Sequence, residues 1–253
     1  MARANPIVLV AEYVLLSCLV LSVHSAIDIQ KYFSCHRSDP DFNQCVIKTF
    51  NQLQPILAPG APELGLEPFD PMYIPRMEVE QHEGMKMKKV LTDITITGLK
   101  DAKLDKADFT KLPDSIEMTW EVPELRVKNN YSMDGVIMGV PYKGKGQSFF
   151  NCTGVRNMVK LKTELVKMDG QDYLQVKDIK YTTEAPKTAH VMFTNTLSKD
   201  PKLTEATVKF FNENWRSLFE MFKNVRNGNV EKFMKDTMNK ALAKFPYEEM
   251  FPK

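Results

Sequence analysis

This 253-residue sequence predicts an α+β fold: one long amphipathic α-helix wrapped by a highly curved antiparallel β-sheet. Three observations carry the expectation. From about residue 76 to 196, apolar and polar residues alternate with a period of two, as strands with one covered face require. Within that region the apolar parity slips: Ile116, Met118, Trp120 and Val122 are even-numbered, whereas Leu125 and Val127, beyond Pro123, are odd. A strand keeps one face inward through such a slip only if it carries a bulge or bend, so the sheet must curl. Beyond about Pro201, Val208, Phe211, Trp215, Leu218, Phe222 and Val225 recur at intervals of three and four. Phe210, Phe219 and Met221 widen that stripe to about half the helix circumference at 100° per residue. A curled sheet is the concave partner such a helix needs.

Taken in order, residues 1–25 read as a cleaved secretory signal peptide. Arg3 supplies the basic start, an apolar stretch follows, and Val23 and Ser25 are the small residues before the cut. The apolar run after Glu12 spans only Tyr13 to Val23, short of the roughly 20 residues a membrane span needs, so no stable membrane insertion is expected. Residues 26–253 then form one domain, with no linker and no internal repeat. Two short helical pieces, "AIDIQKYFSC" and "DFNQCVIKTFNQLQPIL", flank a cysteine loop. The segment "APGAPELGLEPFDPMYIP" is so rich in proline, which fixes φ and removes donors, that it must be an irregular, extended connection.

The strands come next. "ITIT", "SIEMTWEVPELRVK" and "VKLKTELVKM" alternate, and a second parity slip falls in "YLQVKDIKY", from Leu174 and Val176 to Ile179 and Tyr181. Asp169-Gly170 is a two-residue hairpin turn. The long helix should end near "NGN", with Gly228 as its C-terminal cap, and a shorter helix carrying Phe233, Met234, Met238 and Leu242 should follow.

The chemistry is sparse. In an oxidising compartment Cys35 and Cys45 are expected to pair as a staple, worth about 2.5–3 kcal/mol in the chain-entropy model. Cys-x-x-Cys redox spacing and a second zinc-ligand pair are both missing. Asp39 and Asp41, within "SDPD", read as turn formers rather than calcium ligands. Cys152 reads as a small buried hydrophobe. "NYS" at Asn130 and "NCT" at Asn151 are N-glycosylation acceptors. The 34 basic and 32 acidic residues nearly cancel, and the lysines are interleaved with apolar residues, so no nucleic-acid surface is expected. Catalytic motifs such as HExxH, Gly-x-Ser-x-Gly or a phosphate loop do not occur in the sequence. No enzymatic activity, no metal and no cofactor are expected. What remains is apolar bulk, including 15 methionines that suit a pocket tolerant of varied shapes.

Together "CHRSDPDFNQCVI", "LAPGAPELGLEPFDPMYIP", "ITITGLKDAKL", "GKGQSFFNCTGV" and "FPYEEMFP" resemble the insect juvenile-hormone-binding and takeout family. The resemblance covers nearly all of residues 26–253. It implies a tubular lipid-binding fold with a small hydrophobic ligand in an internal tunnel, no catalytic site, and the Cys35–Cys45 disulfide. The hormone-binding branch carries a second disulfide at the cysteine matching Cys152, and residues 26–253 hold no further cysteine beyond Cys35 and Cys45 to form it, so the resemblance favours the takeout-like branch. The function expected is that of a secreted, extracellular, monomeric carrier of a terpenoid, fatty acid or prenyl lipid. The alternative is a secreted protein that recognises a cell-surface receptor with its interior filled by its own side chains. Inward parity and helix face nominate Trp120, Phe149, Phe211, Trp215, Phe219 and Phe222 as tunnel-lining residues. The segment around the disulfide is expected to act as a hinged cover.

Overall fold

The computed structural model describes residues 35–62, 66–81, 87–137, 140–194, 201–221 and 223–253. Residues 1–34, with the expected signal peptide and nearly all of the first expected helical piece, lie outside them. The described elements begin with α1 (Phe42–Leu57), then strands β1 (Met72–Gln81), β2 (Met87–Thr97), β3 (Lys103–Asp108), β4 (Ser115–Ile137), β5 (Val140–Met168), β6 (Gln171–Thr183) and β7 (Thr188–Phe193). Helices α2 (Pro201–Glu213), α3 (Trp215–Met221), α4 (Lys223–Leu242) and the single turn α5 (Tyr247–Met250) complete it. All strand pairs are antiparallel, in the order β1-β2-β4-β5-β6, with β3 also on β4 and β7 also on β5. The α+β class and the curled sheet are as the alternation and parity slips require. Pro75 is accommodated because β1 is an edge strand, where a missing N–H costs no ladder bond.

The sheet is organised by a ribbon of its two longest strands, β4 with 23 residues and β5 with 29. Val122 pairs with Val155 and Glu124 with Thr153, so Pro123 and Gly154 stand opposite one another without loss of register. Both strands change parity at this point. Buried positions are even on β4 up to Val122 and odd from Asn129, and on β5 they pass from Ser148 and Cys152 to Val155, Asn157 and Val159. Gly154 takes φ of 62°, a left-handed conformation glycine adopts at no steric cost. The ribbon's neighbours change at the same level. On one side β2 ends at Thr97, opposite Arg126, and β3 begins at Lys103, opposite Glu121. On the other, β7 ends at Thr188 and β6 takes over at Thr183. Gly98 permits the first change: a Cβ there would lie 1.9 Å from the Glu124 carbonyl oxygen. The second predicted slip is also a bulge, since Lys162 pairs with Asp178 and Thr163 with Val176, leaving Lys177 extra. Asp169 and Gly170 both have positive φ, as the hairpin turn needs.

Three helices dock on the sheet's free edges by one device. The Asn51 side chain accepts from the Leu104 N–H at 2.8 Å and donates to its carbonyl at 3.1 Å, tying α1 to β3. Asn212 does the same to Val191, tying α2 to β7 at 2.8 and 2.9 Å. Asn239 ties α4 to β6 through Val176 at 2.8 and 3.0 Å. An asparagine amide can present an N–H and a C=O side by side in the spacing of a peptide, so each closes an edge as another strand would.

The helical region departs from the expected single long helix. At Asn214 the side-chain amide donates to the Phe210 carbonyl at 2.9 Å, beside the backbone bond from Asn214 at 3.0 Å. Such back-bonding bends a helix, and α2 gives way to α3 there. Gly228 is not a cap: α4 runs through it to Leu242. Contacts with β6 override glycine's cost of about 1 kcal/mol in a helix interior. Beside Asn239, Glu231 accepts from the Tyr181 N–H at 2.7 Å and Lys235 donates to the Lys177 carbonyl at 2.7 Å.

Cys35 and Cys45 are disulfide-bonded. The segment around them, expected to act as a hinged cover, is held to the C-terminus in this structure. Arg37 donates to the Tyr247 hydroxyl at 3.0 Å and to Glu248 at 2.6 Å, and its guanidinium lies 4.7 Å from the centre of the Tyr247 ring. The Arg37 N–H reaches the Pro252 carbonyl at 2.8 Å. Beneath it Phe42, Phe109 and Phe251 form a triad with ring centres 6.0 to 6.4 Å apart. Replacing Asn212 or Asn239 by Ala leaves two edge backbone groups without their partner and should cost about 2 kcal/mol each. Urea denaturation of the single variants checks this, and equal midpoints for variant and wild type would contradict it.

Candidate functional site

The covered face of the sheet carries three apolar clusters along the ribbon. At the disulfide end, Ile116, Val159, Leu161, Val176 and Phe251 pack together, with Trp120, Met234 and Met238 partly buried against them. Around the bend, Val122, Cys152 and Val155 pack with Ala102. Toward the β4–β5 hairpin, Tyr131, Met133, Phe193 and Leu218 pack with Leu91, Val208 and Phe211. Between the last two clusters runs a rung of four strands, Ile96–Val127–Phe150–Val191, paired across the sheet. Parity places it on the covered face, because Ile94, Asn129, Ser148, Cys152 and Phe193, two residues away along these strands, are buried. Yet all four rung residues keep partial exposure. Phe150 packs against the bend cluster and Val191 against the hairpin-end cluster, so the rung joins the two while keeping part of its apolar surface uncovered.

Polar groups on this face are largely satisfied. Ser148 donates to Asn129 at 2.8 Å, both residues being buried. Asn157 accepts from Tyr181 at 2.5 Å and from Thr183 at 3.1 Å. The Tyr131 hydroxyl donates to the Thr194 carbonyl at 2.9 Å, and its residue is only 2% exposed. Burial pushes the Tyr131 phenol from 10.0 up to about 12. Such a lining offers apolar contact and few polar handles, which suits binding an apolar molecule. Among the described residues no three His, Cys, Asp or Glu side chains come together as a metal site.

The residues nominated from sequence fall in different places. Trp120 lies in the interior between the first two clusters, its ring centre 6.1 Å from that of Tyr181. Phe211 lies in the hairpin-end cluster, 5.0 Å from Phe193 and nearly perpendicular to it. Trp215 and Phe219 are half-buried on α3, with the Arg216 guanidinium 4.3 Å from the Trp215 ring centre. Phe222 lies outside the described residues. Phe149 does not face the interior. Its ring shares the outer face with Lys128, whose ammonium is 5.6 Å from the ring centre, and with Met192, which is 50% exposed.

The reason for the Phe149 difference is Gly154. Odd-numbered residues face inward from Val155 to Leu161, and that parity would carry Phe149 inward. The slip at Gly154 reverses it and turns Phe150 to the interior instead. Val127, Phe150 and Tyr131 were therefore missed, although the shared slip of "EVPE" and "NCTGV" could have found them. Phe149 instead lines an outer groove of about 410 Å³ with Lys128, Asn151, His190 and Met192, a groove that Val127 and Phe150 also border. Both sequons lie on that outer face: Asn130 donates to Asp93 at 2.8 Å and Asn151 to Glu124 at 3.1 Å. Cys152 is buried and not disulfide-bonded.

Comparisons with known proteins agree with this geometry. The family model described as haemolymph juvenile hormone binding protein matches residues 14–252. The circadian clock-controlled protein daywake of Drosophila yakuba is 27% identical over 202 residues, covering 76% of this chain and 77% of that one. A putative beta-carotene-binding protein of Schistocerca gregaria is 32% identical over 110 residues, 43% of each chain. The crystal structure of Epiphyas postvittana Takeout 1 superposes with a TM-score of 0.76 at 24% identity, covering 87% of this chain and 99% of that one, and so shares the fold.

The raised phenol pKa at Tyr131 has a definite sign. The folded state holds the proton more tightly than the unfolded chain, so this contribution is complete below pH 10 and is lost as pH rises toward 12. Relative to Tyr131→Phe, the wild type should lose on the order of 2 kcal/mol across that window. Chemical denaturation of both proteins at a series of alkaline pH values measures the difference, which should be flat below pH 10.

Proposed function

Because the chain belongs to the haemolymph juvenile hormone binding protein family, we propose that it is a secreted carrier holding one extended, lipid-like molecule in a tunnel between its helices and curled sheet. Members of this family bind hydrophobic ligands rather than catalyse reactions. The observation that carries the finer reading is the rung Ile96–Val127–Phe150–Val191: apolar, turned inward and incompletely covered. A terpenoid, fatty acid or prenyl lipid laid along it would leave water at about 25 cal/mol per Å² of apolar surface, before ordering costs. Trp120, Phe211, Trp215, Phe219 and Phe222 are the further contacts proposed. Specificity would come from the length of the space and the few polar groups along it.

Secretion is supported by the signal-like residues 1–25 and by the Cys35–Cys45 disulfide, which suits an oxidising compartment. No helix among the described residues is long and apolar enough to cross a membrane. Glycans at Asn130 and Asn151 would sit on the outer face and leave the interior unobstructed. The outer groove with Phe149 and Met192 favours a second reading, recognition of a cell-surface receptor.

Native mass spectrometry of the protein from its source, followed by organic extraction, should return one apolar molecule per chain. Val127→Trp, which adds bulk to the rung, should weaken uptake of a neutral fluorescent apolar probe by about tenfold or more. A protein that carries no lipid and takes up no probe would shift the assignment to receptor recognition.

A further inference from the structure

A cation, Lys89, stands on the covered face. Lys89 on β2 pairs with Met133 on β4, and two residues on, Leu91 pairs with Tyr131. Directly opposed residues on antiparallel strands project from the same side of the sheet. Met133 is 6% exposed within the hairpin-end apolar cluster, so Lys89 shares the face of Met133, Leu91 and Tyr131. Its neighbour Lys88 pairs with exposed Asp134 on the other face.

The surroundings of Lys89 are unusual for a lysine. Protein encloses the ammonium, and burial alone lowers its pKa, with no charged neighbour contributing. Among the described residues no side chain or carbonyl bonds to it, whereas Lys143, Lys160, Lys177 and Lys187 all reach carboxylates. Lys89 nevertheless keeps some surface accessible to water-sized molecules. An unpaired ammonium in apolar surroundings is costly, and a hydrocarbon side chain of similar length would avoid the cost.

The cation also has an apolar lane leading from it. From Met133 to Val127 is six residues of β4, about 20 Å at 3.4 Å per residue, the scale of a long hydrocarbon chain. The lane runs past Tyr131 and the Asn129–Ser148 pair, whose oxygens are engaged with Thr194 or with each other. It ends on the half-covered rung. At its far end the molecule is closed by the aromatic and disulfide cluster.

Resting on the carrier reading above, we propose that Lys89 recognises an acidic head group: the ligand is a single-chain carboxylic acid, its carboxylate on the Lys89 ammonium and its tail laid along Tyr131 toward Ile96, Val127, Phe150 and Val191. Pairing with the carboxylate supplies the counter-charge that no described residue provides. An ester or hydrocarbon of the same length gains the apolar contact and leaves the ammonium unpaired, so acid and ester are discriminated by charge rather than by size.

The test is displacement of N-phenyl-1-naphthylamine, an uncharged probe, by palmitic acid and by methyl palmitate, using wild type, Lys89→Met and Lys89→Gln. A hydrogen-bonded charge pair in such a site is worth about tenfold or more in affinity. Wild type should therefore prefer the acid over the ester by about tenfold. Both variants should lose that preference while binding the ester within about threefold of wild type. Equal displacement by acid and ester in wild type, or a preference that survives in both variants, overturns the assignment of Lys89 and leaves the carrier reading standing. Failure of wild type to bind the probe or either lipid overturns the carrier reading and this one with it.

Discussion

The opposition of Pro123 and Gly154 in the β4–β5 ribbon is the constraint on which the rest of the structure depends. A ribbon of 23 and 29 residues cannot stay flat and still bury one face of a single domain. Because both strands slip parity at the same level, the covered face is kept while the ribbon bends. The neighbours change there too, β2 to β3 on one side and β7 to β6 on the other. The curvature of the sheet, the division of its core into clusters and the inward turn of Phe150 all follow from that shared slip.

A sheet so curled has free edges, and these are what the helices cover. Asn51, Asn212 and Asn239 each present an amide to an edge residue and take both of its backbone groups. The helices are thereby held by directional bonds at their margins as well as by apolar contact with the sheet. That division of labour matters for a binding protein. Where edge bonds carry part of the docking, the face between helix and sheet need not be filled completely, and apolar side chains such as Val127 and Val191 can keep accessible surface.

The two ends of the interior differ in chemistry. At the disulfide end, aromatic rings, the Arg37 clamp and the Cys35–Cys45 bridge close the structure. Toward the β4–β5 hairpin, the lining mixes apolar side chains with the Tyr131 phenol and the Lys89 ammonium. An extended ligand in such a space would meet a hydrocarbon end and a polar end, and its orientation would follow from that difference.

Much of this was legible in the residues themselves. Alternation with parity slips at Pro123 and in "YLQVKDIKY" marked a curled antiparallel sheet, Asp169-Gly170 marked its hairpin, and the spacing of Val208 to Val225 marked a helical region with a broad apolar stripe, though not its division into separate helices. These are local signals, set by periodicities of two and 3.6 and by the few residues that tolerate positive φ. Other features were not local. Gly228 lies within α4 because edge bonds to β6 outweigh glycine's small helix penalty. Phe149 faces outward because the parity of β5 reverses at Gly154 in concert with a strand some thirty positions away. Lys89 reads as one more surface lysine in "MKMKKV" until its pairing with Met133 is known. Sequence by itself determined where the strand region gives way to the helical one and that the sheet must bend. Only the tertiary structure decided which side of each bend is inside, because that depends on the partner strand, and a slip of one residue exchanges the two faces.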